Sequence, residues 1–207
     1  MRSDLLMTPQ ALEGWLIPSP PEGQQLEVES LCGGRPLEVE IGSGKGQFLL
    51  DSCLRRPEVH FLGCEVKKLQ AAFVATRIAK RALRNGSAMR VDGQALLERF
   101  LPQHSVSAVH LYFPDPWWKR SHWKRRIYTP ALFRAAARAL KAGGVFHTAT
   151  DVPHVAALID AAAEASGCFV QGVVLPEAPD APRSNFHAKA LLKGHVIERR
   201  CFVLRDG

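Results

Sequence analysis

An apolar strand that ends in a carboxylate and gives way to a helix recurs along this chain, and that recurrence limits the possible folds more than any other feature. Leu37-Glu38-Val39-Glu40-Ile41-Gly42 alternates like a strand and runs into Gly42-Ser43-Gly44-Lys45-Gly46, after which Phe48, Leu49 and Leu50 open an apolar helix. Residues 59–65 form a second strand ending in Glu65, followed by helical spacing from 66 to about 83. Residues 87–93 are a shorter third strand ending in Asp92, with a helix over 94–101. The run 106–113 is mostly apolar, as parallel strands covered on both faces are. Strands at 145–151, 168–175 and 196–204 bring the number to seven. Alternating strands and helices predict an α/β fold: a seven-stranded, mostly parallel sheet with helices on both faces. A chain of 207 residues suits a single such domain, here 37–207. Residues 1–36, punctuated by Pro18, Pro20, Pro21, Gly23, Gly33 and Gly34, read as a partly irregular lead-in.

Ligands of open α/β sheets bind beyond the carboxyl ends of the strands, where these acids stand. The nicotinamide fingerprint needs G-x-G-x-x-G, whereas Gly42, Gly44 and Gly46 are spaced G-x-G-x-G. That spacing, with Glu40 two residues before the first glycine, resembles the glycine loop of S-adenosylmethionine-dependent methyltransferases. Such a cofactor has no pyrophosphate to cradle, and Glu40 would meet its cationic methionyl end. The plain alternative is a tight turn. Glu65 suits bidentate hydrogen bonding to ribose hydroxyls or the N-cap of the next helix. Asp92 suits the adenine amino group or, equally, another N-cap.

The fourth strand delivers Tyr112-Phe113-Pro114-Asp115-Pro116-Trp117-Trp118. Pro114 and Pro116 withhold two backbone donors and hold Asp115 on a stiff loop. Lys119, Arg120, Ser121, His122, Trp123, Lys124, Arg125 and Arg126 follow, so that cations suited to phosphate interleave with rings suited to stacking on a base. A solvated basic helix start is the competing reading. The balance of 27 Lys and Arg against 20 Asp and Glu, a net charge of +7, favours a polyanionic partner. Thr129 is expected to cap a helix through 140, with Lys141 in its last turn and Gly143-Gly144 ending it. Asp151 contacts substrate or caps the helix running to about 166. Pro176, Pro179 and Pro182 break structure ahead of Ser184-Asn185-Phe186-His187, which reads as a surface loop with positive charge nearby. Five scattered cysteines without CxxC or zinc-like spacing read as buried thiols in a reducing compartment and argue against a metal site. No run has the length of a signal core or a membrane span, so a cytoplasmic protein is expected.

In order and at matching intervals, Val39 to Gly46, Gly63-Cys64-Glu65-Val66, Phe113-Pro114-Asp115-Pro116-Trp117, Lys124-Arg125-Arg126-Ile127 and Ala149-Thr150-Asp151 resemble the bacterial tRNA (guanine-N7-)-methyltransferases over roughly residues 37–204. The resemblance implies a Rossmann-like class I methyltransferase fold and methyl transfer from S-adenosylmethionine to N7 of the variable-loop guanine at tRNA position 46. It implies that Glu40, Glu65, Asp92 and Asp115 line the S-adenosylmethionine site with the loop of Gly42, Gly44 and Gly46, and that Asp115 is central to catalysis. Lys119 and Asp151 would contact the substrate and residues 120–126 would touch RNA. The family's Thr-x-x-Glu motif falls on Ser184 to His187: Ser184 offers the hydroxyl, and His187 stands where a carboxylate is expected. Two rivals stay open, an RNA-binding relative with weakened turnover and an exocyclic-amine methyltransferase suggested by Asp115-Pro116-Trp117. The sequence leaves monomer or homodimer undecided.

Overall fold

Eight strands form one sheet in the order β1-β4-β3-β2-β5-β6-β8-β7. The computed structural model describes residues 6–172 and 184–205. The strands are β1 (Leu16–Ile17), β2 (Leu37–Ile41), β3 (His60–Cys64), β4 (Gly86–Met89), β5 (Val106–Tyr112), β6 (Leu140–Thr150), β7 (Phe169–Gln171) and β8 (Glu198–Leu204). Every pairing is parallel except the two made by β8, which runs against β6 and β7. The order reverses at β2 and β5, which opens a crevice at their carboxyl ends.

Helices α1 (Val28–Cys32), α2 (Gln47–Arg55), α3 (Lys68–Ala79), α4 (Gly93–Ala95), α5 (Pro130–Ala139), α6 (Pro153–Ser166) and α7 (Asn185–Leu192) complete the described chain. Two apolar cores follow from strand alternation. On one face Leu37, Val39, Ile41, Val109, Leu111 and Phe146 pack with Leu132, Phe133, Val155 and Ile159 of α5 and α6. On the other, Phe61 and Ala88 pack with Leu49, Leu50 and Cys53 of α2 and Val74, Ala75 and Ile78 of α3. Both faces of β2 and β3 are therefore buried along their whole length.

The sheet has eight strands where the sequence predicts seven. The additional β1 is two residues long, too short for any periodicity to reveal, and it pairs with β4 from within the lead-in. Thr129 caps α5 as expected, its hydroxyl accepting from the Leu132 amide at 3.2 Å. The helix nevertheless stops at Ala139, and Lys141, Gly143 and Gly144 lie within β6, because Leu140 already pairs with Val106. The helix predicted over 94–101 is a single α turn continued by a π-helix at Leu96–Phe100. Ser184 to His187 is the start of α7, not a loop: the Ser184 hydroxyl accepts from the His187 amide at 3.1 Å. Pro176, Pro179 and Pro182, and the end of the strand predicted over 168–175, lie outside the described residues.

Candidate active site at the carboxyl edge of the sheet

The glycine loop between β2 and α2 sets the geometry of the crevice. Gly42, Gly44 and Gly46 all have positive φ. At Gly46 a Cβ would also sit 2.8 Å from Val74 Cγ1, so no other residue lets α3 approach the loop this closely. Glu40, the penultimate residue of β2, is 4 % exposed, and its Oε2 has no hydrogen-bond partner. Burial, reinforced by the nearby Glu65 and opposed by the Leu49 amide, pushes its carboxyl up to about 8. Glu65 follows β3; its Oε2 accepts from the Gly44 amide at 3.2 Å and its Oε1 from the Lys67 amide at 3.0 Å. It therefore ties the glycine loop to the start of α3.

Asp92 follows β4, and its Oδ1 accepts from the Ala95 amide at 3.0 Å, so the capping reading of the sequence is realised there. Glu40, Glu65 and Asp92 cluster closely enough for the Cys64 thiol to feel all three charges, although burial is the main cause of its rise to about 12. Asp115 stands exposed beyond β5, the next strand along. Four neighbouring strands thus each carry one of the four acids at or within three residues of their carboxyl end.

The loop carrying Asp115 is strained on both sides: Phe113 (φ 49°) and Trp117 (φ 43°) occupy the left-handed region that bulky residues avoid. It is held by Phe113 N–H to Ala149 O at 2.7 Å and by Tyr128 O–H to Pro116 O at 3.3 Å. The Arg126 guanidinium donates to Trp117 O at 3.4 Å. Residues Arg120–Arg125 form a 3-10 helix with no buried side chain. Two of the expected base-stacking rings already carry cations from this segment, although Trp123 is still exposed. Arg125 lies over Trp117 at 5.1 Å, and Arg126 and Arg120 lie over Trp123 at 4.6 and 5.9 Å. Trp118, 64 % exposed, faces outward beside the exposed Lys119.

Of the other expected substrate residues, Asp151 follows β6, while Ser184 and His187 begin α7. His187 is buried and packs at 6.0 Å from the Phe113 ring. Its Nε2 lies 3.3 Å from Arg199 Nη2, and because a guanidinium only donates, that nitrogen is the acceptor and is turned towards β8. Asp151, at the end of β6, pairs through Oδ2 with His195 Nδ1 at 2.9 Å. His195 was not among the residues singled out in the sequence. Nor was the partly buried chain along β2 and β5, in which Arg56 pairs with Glu38, Glu38 Oε2 meets His110 Nε2 at 2.9 Å, and His110 Nδ1 meets the Tyr112 hydroxyl at 2.9 Å. Burial raises the Glu38 carboxyl, and these hydrogen bonds and charges outweigh it, holding it at about 2. The only sequence signal was a glutamate alternating with apolar residues, which reads as a solvated strand face.

Among the described residues no group of His, Cys, Asp and Glu is arranged to hold a metal ion, and no helix is long and apolar enough to cross a membrane. The fold matches solved methyltransferases: 16S rRNA methyltransferase KamB aligns with a TM-score of 0.65 at 15% identity, covering 87% of this chain and 93% of its own. A geranyl diphosphate methyltransferase in complex with S-adenosylmethionine aligns at 0.53 and 14% identity, covering 82% and 77%. Residues 34–198 match a family described as "Putative methyltransferase". Fold and site together define a class I S-adenosylmethionine-dependent methyltransferase. The tRNA (guanine-N(7)-)-methyltransferase of Myxococcus xanthus is 37% identical over 167 residues, 79% of this chain and 81% of that protein. That of Alkalilimnicola ehrlichii is 33% identical over 183 residues, 86% and 77%. The chain belongs to the tRNA (guanine-N7-)-methyltransferase family.

Proposed function

We propose that this carboxyl edge binds S-adenosylmethionine and a guanine of tRNA, and that the enzyme methylates N7 of the guanine at position 46 of the variable loop. The observation that carries the reading is Glu40: a fully buried carboxyl with an orphaned oxygen at the head of a glycine loop is stable as a carboxylate only beside a cation. The amino group and sulfonium of S-adenosylmethionine answer that need. Glu65, already aligned by the Gly44 and Lys67 amides, keeps lone pairs for ribose hydroxyls. Asp92 keeps Oδ2 for the adenine amino group while Oδ1 caps α4. The residues present therefore fit the cofactor.

S-adenosylmethionine supplies an activated methyl group on a sulfonium, and guanine N7 has a free lone pair at neutral pH, so the protein has no proton to remove from the nucleophile. What the chain contributes is alignment for in-line displacement and exclusion of water. Asp115, fixed between two strained residues, orients the guanine edge or the methionyl amine. Asp151 and Ser184 face the base from β6 and α7, Lys119 with residues 120–125 meets the RNA backbone, and Arg126 holds the Asp115 loop behind them. Exposing a guanine of the folded tRNA costs a few kcal/mol of unstacking, which stacking on Trp118 offsets by about 1–3 kcal/mol. Five free thiols suit the reducing compartment in which tRNA is modified.

The test is incubation with labelled S-adenosylmethionine and unmodified tRNA, followed by mass analysis of nucleosides; 7-methylguanosine at position 46 is expected. Asp115→Ala should abolish it while tRNA affinity stays within a few fold, and retained turnover would remove Asp115 from the site. One observation favours a second reading, an RNA-binding relative with weakened turnover: His187, standing where the resemblance implies an acid, has its Nε2 committed to Arg199. Cofactor binding without methyl transfer to any tRNA would establish that reading.

A further inference from the structure

Helix α7 reaches the substrate side of the crevice at both of its ends. Its N-cap is Ser184, and its first turn sets Phe186 and His187 against the Phe113 ring at 6.3 and 6.0 Å. Its C-terminus closes in a Schellman motif: Gly194, at φ 68°, donates to Leu191 O at 3.0 Å, and the His195 amide returns to Ala190 O at 3.0 Å. The second of those bonds fixes the backbone of His195 and aims its imidazole at Asp151. The helix buries little apolar surface of its own, since Phe186, Leu191 and Leu192 are 58 %, 46 % and 88 % exposed. Polar contacts and ring contacts, not a hydrophobic seam, hold it to the sheet.

We propose that His195 is a positioning residue for methyl transfer, latching the Asp151 carboxylate in the orientation that meets the guanine. The inference rests on the reading of Asp151 as a substrate contact. A carboxylate only accepts, so the nitrogen facing Asp151 Oδ2 at 2.9 Å is the Nδ1–H donor, and Nε2 points away from the pair. The bond does two things. It orients one oxygen of Asp151 and leaves the other for the donor edge of the base, and it joins the C-terminus of α7 to the end of β6. The consequence is larger here than it would be with an acid at position 187. His187 is turned to Arg199 and Glu198, opposite Thr150, is paired with Arg200, so among the described residues Asp151 is the carboxylate we assign to guanine's N1–H and amino donors. Methylation at N7 places a positive charge on the base, and a fixed carboxylate beside it stabilises that charge better than a swinging one.

The identity of the donating nitrogen makes the test specific. The amide nitrogen of Asn stands where Nδ1 of His stands, whereas Gln places its amide where Nε2 stands. With tRNA as substrate, His195→Ala should lower kcat/KM about tenfold, the loss of one hydrogen bond to a charged group, with S-adenosylmethionine affinity within twofold of the parent. His195→Asn should recover most of that loss and His195→Gln should not. Equal activity of the Ala variant and the parent, or Asn and Gln variants that behave alike, would overturn the latch, as would a loss that lies wholly in cofactor affinity. Asp151→Ala separates the two layers: if it turns over tRNA normally, the reading of Asp151 fails; if it is impaired while His195→Ala is not, only the latch fails.

Discussion

Glu40 is the side chain whose physics most directly exposes the site. In the ligand-free protein its carboxyl titrates near 8 because burial disfavours the charged form, against 4.5 for an unperturbed glutamate. A folded-state value above the unfolded one means that the native chain holds a proton that the unfolded chain has released. Stability from this group is therefore complete below pH 4.5 and is lost progressively as pH rises through 8, by an amount on the order of a few kcal/mol. Glu40→Gln mimics the protonated form and removes that loss. Thermal unfolding of the ligand-free proteins should show the variant gaining on the parent between pH 5 and pH 8; a constant difference would mean that Glu40 is ionised throughout. The same substitution removes the partner for a cation, so cofactor affinity should fall by tenfold or more. Binding to the parent near pH 7 should release up to one proton as Glu40 ionises, which calorimetry in two buffers of different ionisation enthalpy would detect.

At the scale of elements, the basic segment after β5 separates into two kinds of cation that look alike in the sequence. Lys124 and Arg125 are exposed, whereas Arg126 is half-buried, stacked on Trp123 and bonded to Trp117 O. Lys124→Ala and Arg125→Ala should each weaken tRNA binding and reduce the slope of log affinity against log salt by about 1. Arg126→Ala should instead loosen the strained Asp115 loop, lowering turnover with little change in that slope; binding measured from low to moderate salt distinguishes the two. The difference shows what sequence can and cannot deliver. Strand ends, helix spacing and the acids at the strand ends were readable because each is a local pattern. The pairing of Arg126 with Trp117 O was not, because it depends on backbone conformation at Phe113 and Trp117, where bulky residues adopt glycine-like angles. Glu38 and His110 were missed for a related reason: 72 positions apart, they become partners only once β2 lies beside β5. Ser184 was legible as a hydroxyl but not as a helix cap, since a cap needs the apolar spacing of a strong helix after it, and α7 is short and largely exposed.

Across the whole molecule, residues 6–36, the described part of the partly irregular lead-in, act as a strap over the sheet edge. Leu12, 2 % exposed, is part of the core beneath α3, and Trp15 donates from Nε1 to Leu83 O at 2.9 Å while Arg84 lies over its ring. β1 then pairs with β4, and the Ser19 hydroxyl donates to Arg90 O at 3.2 Å, two residues from Asp92. Beyond it the Leu26 amide bonds Phe100 O at 2.8 Å, and Cys32 of α1 enters the opposite core. One continuous stretch therefore joins both apolar cores and passes the end of the strand that carries Asp92. Leu12→Ala should cost about 2–5 kcal/mol through cavity formation, a drop of several degrees in melting temperature. Removing residues 1–17 should cost at least as much, because the edge of β4 loses its partner and Trp15 leaves Leu83 O unpaired. If the strap also holds the rim, the truncated protein at a temperature where it is still folded should bind S-adenosylmethionine more weakly, while Leu12→Ala, which leaves β1 in place, should bind it normally. Equal cofactor affinity in both would confine the strap to stability and leave the position of Asp92 to the α4 cap alone.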